Sequence, residues 1–279
     1  MTGIRLSAAG KRYGRAAPWV LREVDLTLEP GALVRIEGAN GSGKSTLLKL
    51  LAGIEPPSRG RVEAPGRRAY VPERFPPALP FDAVGYLRRL GRVHGLGKAA
   101  AAERADFWLD RFGIADRAGT PLSRLSKGTC QKVAVAQALL AEADLLLLDE
   151  AWTGLDQEAR ALLDEEAVER AGKGGTVLFV DHDPHRLAGL TTASYRVVGA
   201  SLTELPPAEL GGPDRDPMVI QLRATRLPEQ LPGAPSRTPQ PDGTVLLQVS
   251  ARHSDALLRR LLAGGAHILR VQPESGAPR

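Results

Sequence analysis

Cys130 is the only cysteine in 279 residues, so the chain forms no internal disulfide and no cysteine-based zinc site. No apolar run reaches the roughly 18–20 residues that a bilayer-spanning helix needs. The opening stretch MTGIRLSAAGKRYGR is charged and lacks the apolar core of a secretory leader, so a cytoplasmic protein is expected. There is no self-similarity at solenoid periods, which excludes a repeat array. The formal charge of +5 permits weak attraction to nucleic acid or to an anionic leaflet. Its arginines are scattered, however, apart from a modest group at Arg59, Arg61, Arg67, Arg68 and Arg74. A solvated basic surface accounts for them, and no nucleic-acid partner is expected.

What remains is an ordinary globular composition, 43% hydrophobic and 25% charged, long enough for one large core and a small appendage. Residues 1–205 alternate short apolar runs with helical patterns, which predicts an α/β layer fold. GALVRIEG (31–38), ADLLLLDE (143–150) and GTVLFVDH (175–182) read as strands. The four consecutive leucines of the second suit a parallel strand buried on both faces. Between 76 and 142 the strand signal stops and three helical patterns follow, predicting a helical insertion. A Pro/Gly-rich linker is expected over 206–217, then a small α+β module over 218–279 with strands near 218–225, 244–250 and 267–272. Ser254 is placed to cap the module's helix, and the tail PESGAPR is expected to be disordered.

GANGSGKST (38–46) follows a predicted strand and opens a leucine-rich helix. It fits G-x-x-x-x-G-K-[ST] through Gly38, Gly43, Lys44 and Ser45, with Asn40, Gly41, Ser42 and Thr46 completing the loop. Glycines let the backbone curl so that successive N–H groups point at phosphate oxygens, and the helix N-terminus adds partial positive charge. Lys44 is expected on the β- and γ-phosphates and the Ser45 hydroxyl on Mg²⁺. This predicts a site for a nucleoside triphosphate.

Asp149 and Glu150 end a buried strand, where side chains face the ligand crevice. Alone, such a pair is most often a solvated strand end. Beside Lys44, Asp149 is expected to hold the metal and Glu150 to orient and deprotonate a water. His182, in FVDHD, ends the next apolar strand and is expected near the γ-phosphate. Asp181 and Asp183 flank it without further spaced ligands, so no metal cluster is expected there. LSKGTCQK (125–132) places Ser126 and Gly128 at a predicted helix start, where Ser126 can serve as an ordinary cap.

Taken in order, GANGSGKST, LSKGTCQK, LLLLDE with TGLD (153–156), and the His of VDHD resemble the ATP-binding-cassette (ABC) family of ATPases over residues 1 to about 205. The resemblance implies a P-loop NTPase core with a helical signature subdomain, and an Mg²⁺-dependent ATPase. It implies that two cassettes pair head to tail, as a homodimer or with a relative, so that Ser126 and Gly128 close over the partner's ATP. It further implies that Tyr13 stacks on adenine, that Leu155 and Asp156 lie in the loop between the two sites, and that membrane permease subunits dock near Glu73. The protein would then sit on the inner face of the cell membrane through the permease.

Lys127 and Thr129 replace the usual glycine and glutamine of the signature, and Glu73 in YVPERF stands where most members carry a glutamine touching Mg²⁺ and the water. A carboxylate still ligates Mg²⁺, although its charge repels phosphate. LSKG with VPE resembles the bacterial ABC-2-type exporter branch, so export is expected. A soluble mechanical ATPase is the alternative. It is disfavoured because the short chain distance from Lys44 to Ser126 leaves no room for a coiled-coil insertion. A regulator without turnover is disfavoured by the presence of Lys44, Asp149, Glu150 and His182 together.

Overall fold

The computed structural model describes residues 3–76, 78–206, 218–223, 231–233, 235–249, 254, 257, 258, 260–262 and 264–273. The chain divides into two compact units, Met1–Pro207 and Ala208–Arg279. The first begins with β1 (Ile4–Lys11), β2 (Leu21–Leu28), β3 (Leu33–Glu37), α1 (Lys44–Ala52), β4 (Arg59–Glu63) and β5 (Arg68–Val71). Helices α2 (Ala83–Val93), α3 (Lys98–Arg111) and α4 (Lys127–Leu140) follow. It ends with β6 (Leu145–Asp149), α5 (Gln157–Gly172), β7 (Thr176–Val180), β8 (Ala193–Val198) and β9 (Ser201–Glu204).

Six strands form one sheet in the order β5-β6-β7-β3-β8-β9, parallel throughout except for the β8–β9 hairpin. A separate antiparallel sheet, β2-β1-β4, was not foreseen as such. Its first strand hides the period-2 pattern because the register shifts near Ala8, which takes φ 44°.

Alternation along β6 decides where the site lies. Leu145 and Leu147 pack with the α1 leucines Leu47, Leu48 and Leu51, whereas Leu146 and Leu148 pack with Val133, Leu139 and Leu163 of α4 and α5. All four β6 leucines are fully buried, each stabilising the fold by roughly 1.5–3 kcal/mol. Asp149 continues the Leu145–Leu147 row and therefore emerges on the α1 side, level with the first turn of that helix.

The second unit contains β10 (Met218–Arg223), β11 (Ser236–Pro239), β12 (Val245–Val249) and β13 (His267–Pro273), in the antiparallel order β11-β12-β10-β13. Ile220, Leu222, Leu247 and Val249 form its core with Leu257 and Leu261. Residues 254, 257, 258 and 260–262 are helical, so Ser254 has helical backbone and not the non-helical conformation of a cap. Strand β11, within a Pro/Gly-rich stretch, was not expected. Of the expected linker, residues 207–217 lie outside the described residues, as do 224–225 and the tail from 274. Among the described residues, no helix is long and apolar enough to cross a membrane.

Candidate functional site

The loop between β3 and α1 is built by its glycines. Gly38, Gly41 and Gly43 take φ of 145°, 76° and 112°, conformations that L side chains rarely adopt. A methyl on Gly38 would stand 2.6 Å from Ser42 Oγ and 2.7 Å from Val197 O. Gly43 then caps α1, whose first residue is Lys44. The Lys44 ammonium is buried, donating to Gly38 O at 2.8 Å and Ala39 O at 3.0 Å, so the loop's own carbonyls hold it over the cradle.

Ser45 Oγ donates to Asp149 Oδ1 at 3.1 Å, and the Tyr70 hydroxyl donates to Asp149 Oδ2 at 2.8 Å. Burial pushes the Asp149 carboxyl above the usual range, while these two bonds pull against it. Burial and the neighbouring carboxylate also drive the Tyr70 phenol far up, so it serves only as a donor. Tyr70 was overlooked in the sequence. Its strand β5 pairs in register with β6, Tyr70 opposite Leu147, which sets it one step from Asp149.

Glu150 takes φ 52°, breaking the strand, and its amide bonds Val180 O at 3.0 Å. That left-handed turn lets consecutive carboxylates serve one region instead of opposite faces. His182 Nε2 lies 2.9 Å from Glu150 Oε1. A cleft of 450 Å³ is lined by Val20, Asn40, Gly41, Gly43, Lys44, Ser45, Thr46, Glu73, Glu150 and His182. Glu73 is exposed, 3.6 Å from Arg74.

Tyr13 does not line this cleft. It is exposed, its hydroxyl bonds Glu55 at 3.0 Å and Thr46 at 3.3 Å, and the Lys11 ammonium sits over its ring. Ser126, Gly128 and Asp156 also lie apart from the cleft lining. Ser126 is the N-cap of α4, accepting from Thr129 N at 3.1 Å, so the ordinary capping role is realised within the chain. Asp156 caps α5 through Ala159 N and pairs with Lys132 at 2.7 Å. Gln131, buried, donates to Ala151 O at 3.1 Å. Gln131 and Lys132 were not singled out in the sequence, although they follow LSKGTC directly. Cys130 is buried beneath them.

Ser45 and Asp149 offer hard oxygen donors side by side, and Glu73 lines the same cleft as Ser45; this donor set suits Mg²⁺. Asp181 and Asp183 are instead engaged by Arg186 and by turn amides, and no His/Cys/Asp/Glu cluster of metal-binding geometry occurs among the described residues.

The ABC transporter family model matches residues 21–153. The chain is 43% identical over 205 residues to the zinc import ATP-binding protein ZnuC of Cereibacter sphaeroides, covering 71% of this chain and 79% of that one. It is 37% identical over 192 residues to the aliphatic sulfonates import ATP-binding protein SsuB 1 of Xanthomonas axonopodis pv. citri, covering 65% and 75%. A solved structure of the ATP-binding subunit of an ABC transporter superposes with a TM-score of 0.68 at 26% identity, over 75% of this chain and 91% of that one. A dimeric ATP-binding cassette in a post-hydrolysis state, bound to ADP and Pi, shares the fold at a TM-score of 0.64 and 22% identity, over 73% of this chain and 99% of that one. With these relatives and this cradle, the chain belongs to the ABC transporter family as an ATP-binding subunit.

Proposed function

We propose that this subunit hydrolyses ATP with Mg²⁺ and uses the cycle to drive a separate membrane permease. Subunits of this family pair with permease components and dimerise. The observation that carries the reading is the 2.9 Å approach of His182 to Glu150 in a cleft that Lys44 and Ser45 also line. Loop amides and Lys44 bind the β- and γ-phosphates, while Ser45, Asp149 and Glu73 hold the metal. When bound, Mg²⁺ neutralises charge on the phosphate oxygens. Glu150 orients a water and accepts its proton as the water oxygen attacks the γ-phosphorus and the bond to the β-phosphate oxygen breaks, giving ADP and phosphate. His182 keeps Glu150 aimed and reaches the γ-phosphate. Tyr13, close to Thr46, stacks on adenine by turning its exposed ring.

Ser126 and Gly128, outside the cleft lining, serve the site of a second subunit, and Asp156 lies between the two. Residues 1–205 form the nucleotide-binding domain, with the insertion at 76–142, and 218–279 form an accessory module. The protein lies on the inner face of the membrane through its permease. The names of the two sequence relatives favour import over the export expected from LSKG and VPE. A macrolide export protein of Rhodopseudomonas palustris, of which this chain covers 33% at 33% identity, stands on the other side. We propose import, with the cargo chosen by the permease.

Glu150→Gln tests the mechanism. The variant should bind ATP as the parent does, lose turnover, and elute as an ATP-dependent dimer from a sizing column. Hydrolysis at the parental rate would remove Glu150 as the base.

A further inference from the structure

The side chain of His182 is 62% exposed, and Glu150 is its one ion-pair partner among the described residues. Few contacts of its own fix such a ring, so its place is inherited from the backbone of the loop that carries it. Two guanidinium groups grip that loop, one through its backbone carbonyls and one through its carboxylates. Arg35, buried in β3, donates to the carbonyls of Asp181, Asp183, Pro184 and Arg186 at 2.9–3.3 Å. Arg186, with its side chain only 13% exposed, reaches Asp164 of α5 at 2.8 Å, Asp181 at 3.3 Å and Asp183 at 3.6 Å.

The Arg186 clamp extends toward Glu150. The Arg186 guanidinium lies 5.2 Å from the ring centre of Trp152, two residues beyond Glu150. Trp152 Nε1 donates to Asp164 Oδ1 at 2.9 Å, and its ring meets Phe179 of β7 edge-on at 5.7 Å. A largely buried set of charges is a poor way to gain stability, since desolvation offsets most of the attraction. Its value lies in fixing geometry, and here it joins the loops on either side of the His182–Glu150 contact.

We propose that Arg186 is a positioning residue, which by bridging Asp164 and Asp181 over the Trp152 ring sets the 181–186 loop and thereby holds His182 beside Glu150. The inference rests on the hydrolytic reading of His182 given above, but its structural half can be tested without nucleotide. In the nucleotide-free full-length protein, Arg186→Ala should speed amide exchange across 181–190 by about tenfold while β6 is unchanged. In single-turnover assays, Arg186→Ala should lower the rate about tenfold with KM for ATP within about twofold. In a His182→Ala background the same change should lower it by less than about twofold, because the residue acts through that imidazole. If Arg186→Ala fails to fold, Asp164→Asn, which keeps an acceptor for Trp152, goes through the same measurements. Equal losses in both backgrounds, or unchanged exchange in the loop, overturns the proposal. An inactive parent protein would refute the hydrolytic reading alone, and the exchange result would still decide whether the clamp sets the loop.

Discussion

Lys132 Nζ lies 2.7 Å from Asp156 Oδ2, tying the helix that begins after Ser126 to the end of the TGLD stretch within one chain. The Asp156 carboxyl is held below the usual carboxylate range, first by Lys132 and then by the Ala159 amide. A carboxylate lowered in the native state adds stability that is complete above its unfolded value. That stability fades as pH falls through the lower native value. Asp156 is 57% exposed at its side chain, which limits the effect to under about 1 kcal/mol. Asp156→Asn should therefore cost a small amount in urea unfolding at pH 7, less in high salt, and progressively less below about pH 4. A cost that did not change with pH would mean that the pair contributes through its shape alone.

Gly128 is pressed against the same stretch. A methyl added there would stand 2.9 Å from Gly154 O, a backbone atom that cannot swing away. The φ of Gly128 is not positive, so close approach alone requires the glycine. Gly128→Ala should destabilise the chain by about 1–3 kcal/mol and lower turnover without weakening ATP binding to the monomer. Denaturant melts and fluorescent-nucleotide titration measure the two effects separately.

Ser126 offers a way to separate a local role from one across the dimer. Its hydroxyl caps α4, so Ser126→Ala should cost about 1 kcal/mol and Ser126→Gly only a few tenths. On the proposed placement of Ser126 in a second subunit's site, Ser126→Arg should block hydrolysis while monomer affinity for ATP holds. Collapse of monomer affinity in the arginine variant would place Ser126 in its own chain's site.

β3, β6 and β7 were legible because each combines an apolar run with burial on both faces, and the phosphate loop because its Gly, Lys and Ser spacing is itself the signal. The six-stranded sheet's neighbour order follows from no local pattern. It depends on crossovers, as when β7 lies between β6 and β3. The same limit hid Tyr70, Arg35 and Arg186. A tyrosine in YVPERF and an arginine in LVRIE look like ordinary strand residues. Only strand pairing brings the first to Asp149, and only the return of the chain after β7 brings four carbonyls to the second. The capping half of the Ser126 reading could be taken from sequence alone, because Thr129 is three residues away.

Tyr70→Phe removes one of the two side-chain donors that the Asp149 carboxylate finds among the described residues. Leaving a buried carboxylate oxygen unpaired costs about 1–3 kcal/mol. The pH dependence has a definite sign. The Asp149 carboxyl is already raised by burial, so the folded state binds its proton more tightly than the unfolded chain does. Stability from this group therefore falls as pH rises through the native value, and protonation relieves the burial cost on the acid side. Without the Tyr70 hydroxyl that native value moves further up. The deficit of Tyr70→Phe against the parent should be largest near pH 7 and shrink toward acid, measured by urea unfolding with nucleotide and metal absent. A deficit that stayed constant from pH 7 to acid would mean that the hydroxyl supports packing and leaves the carboxylate's charge untouched.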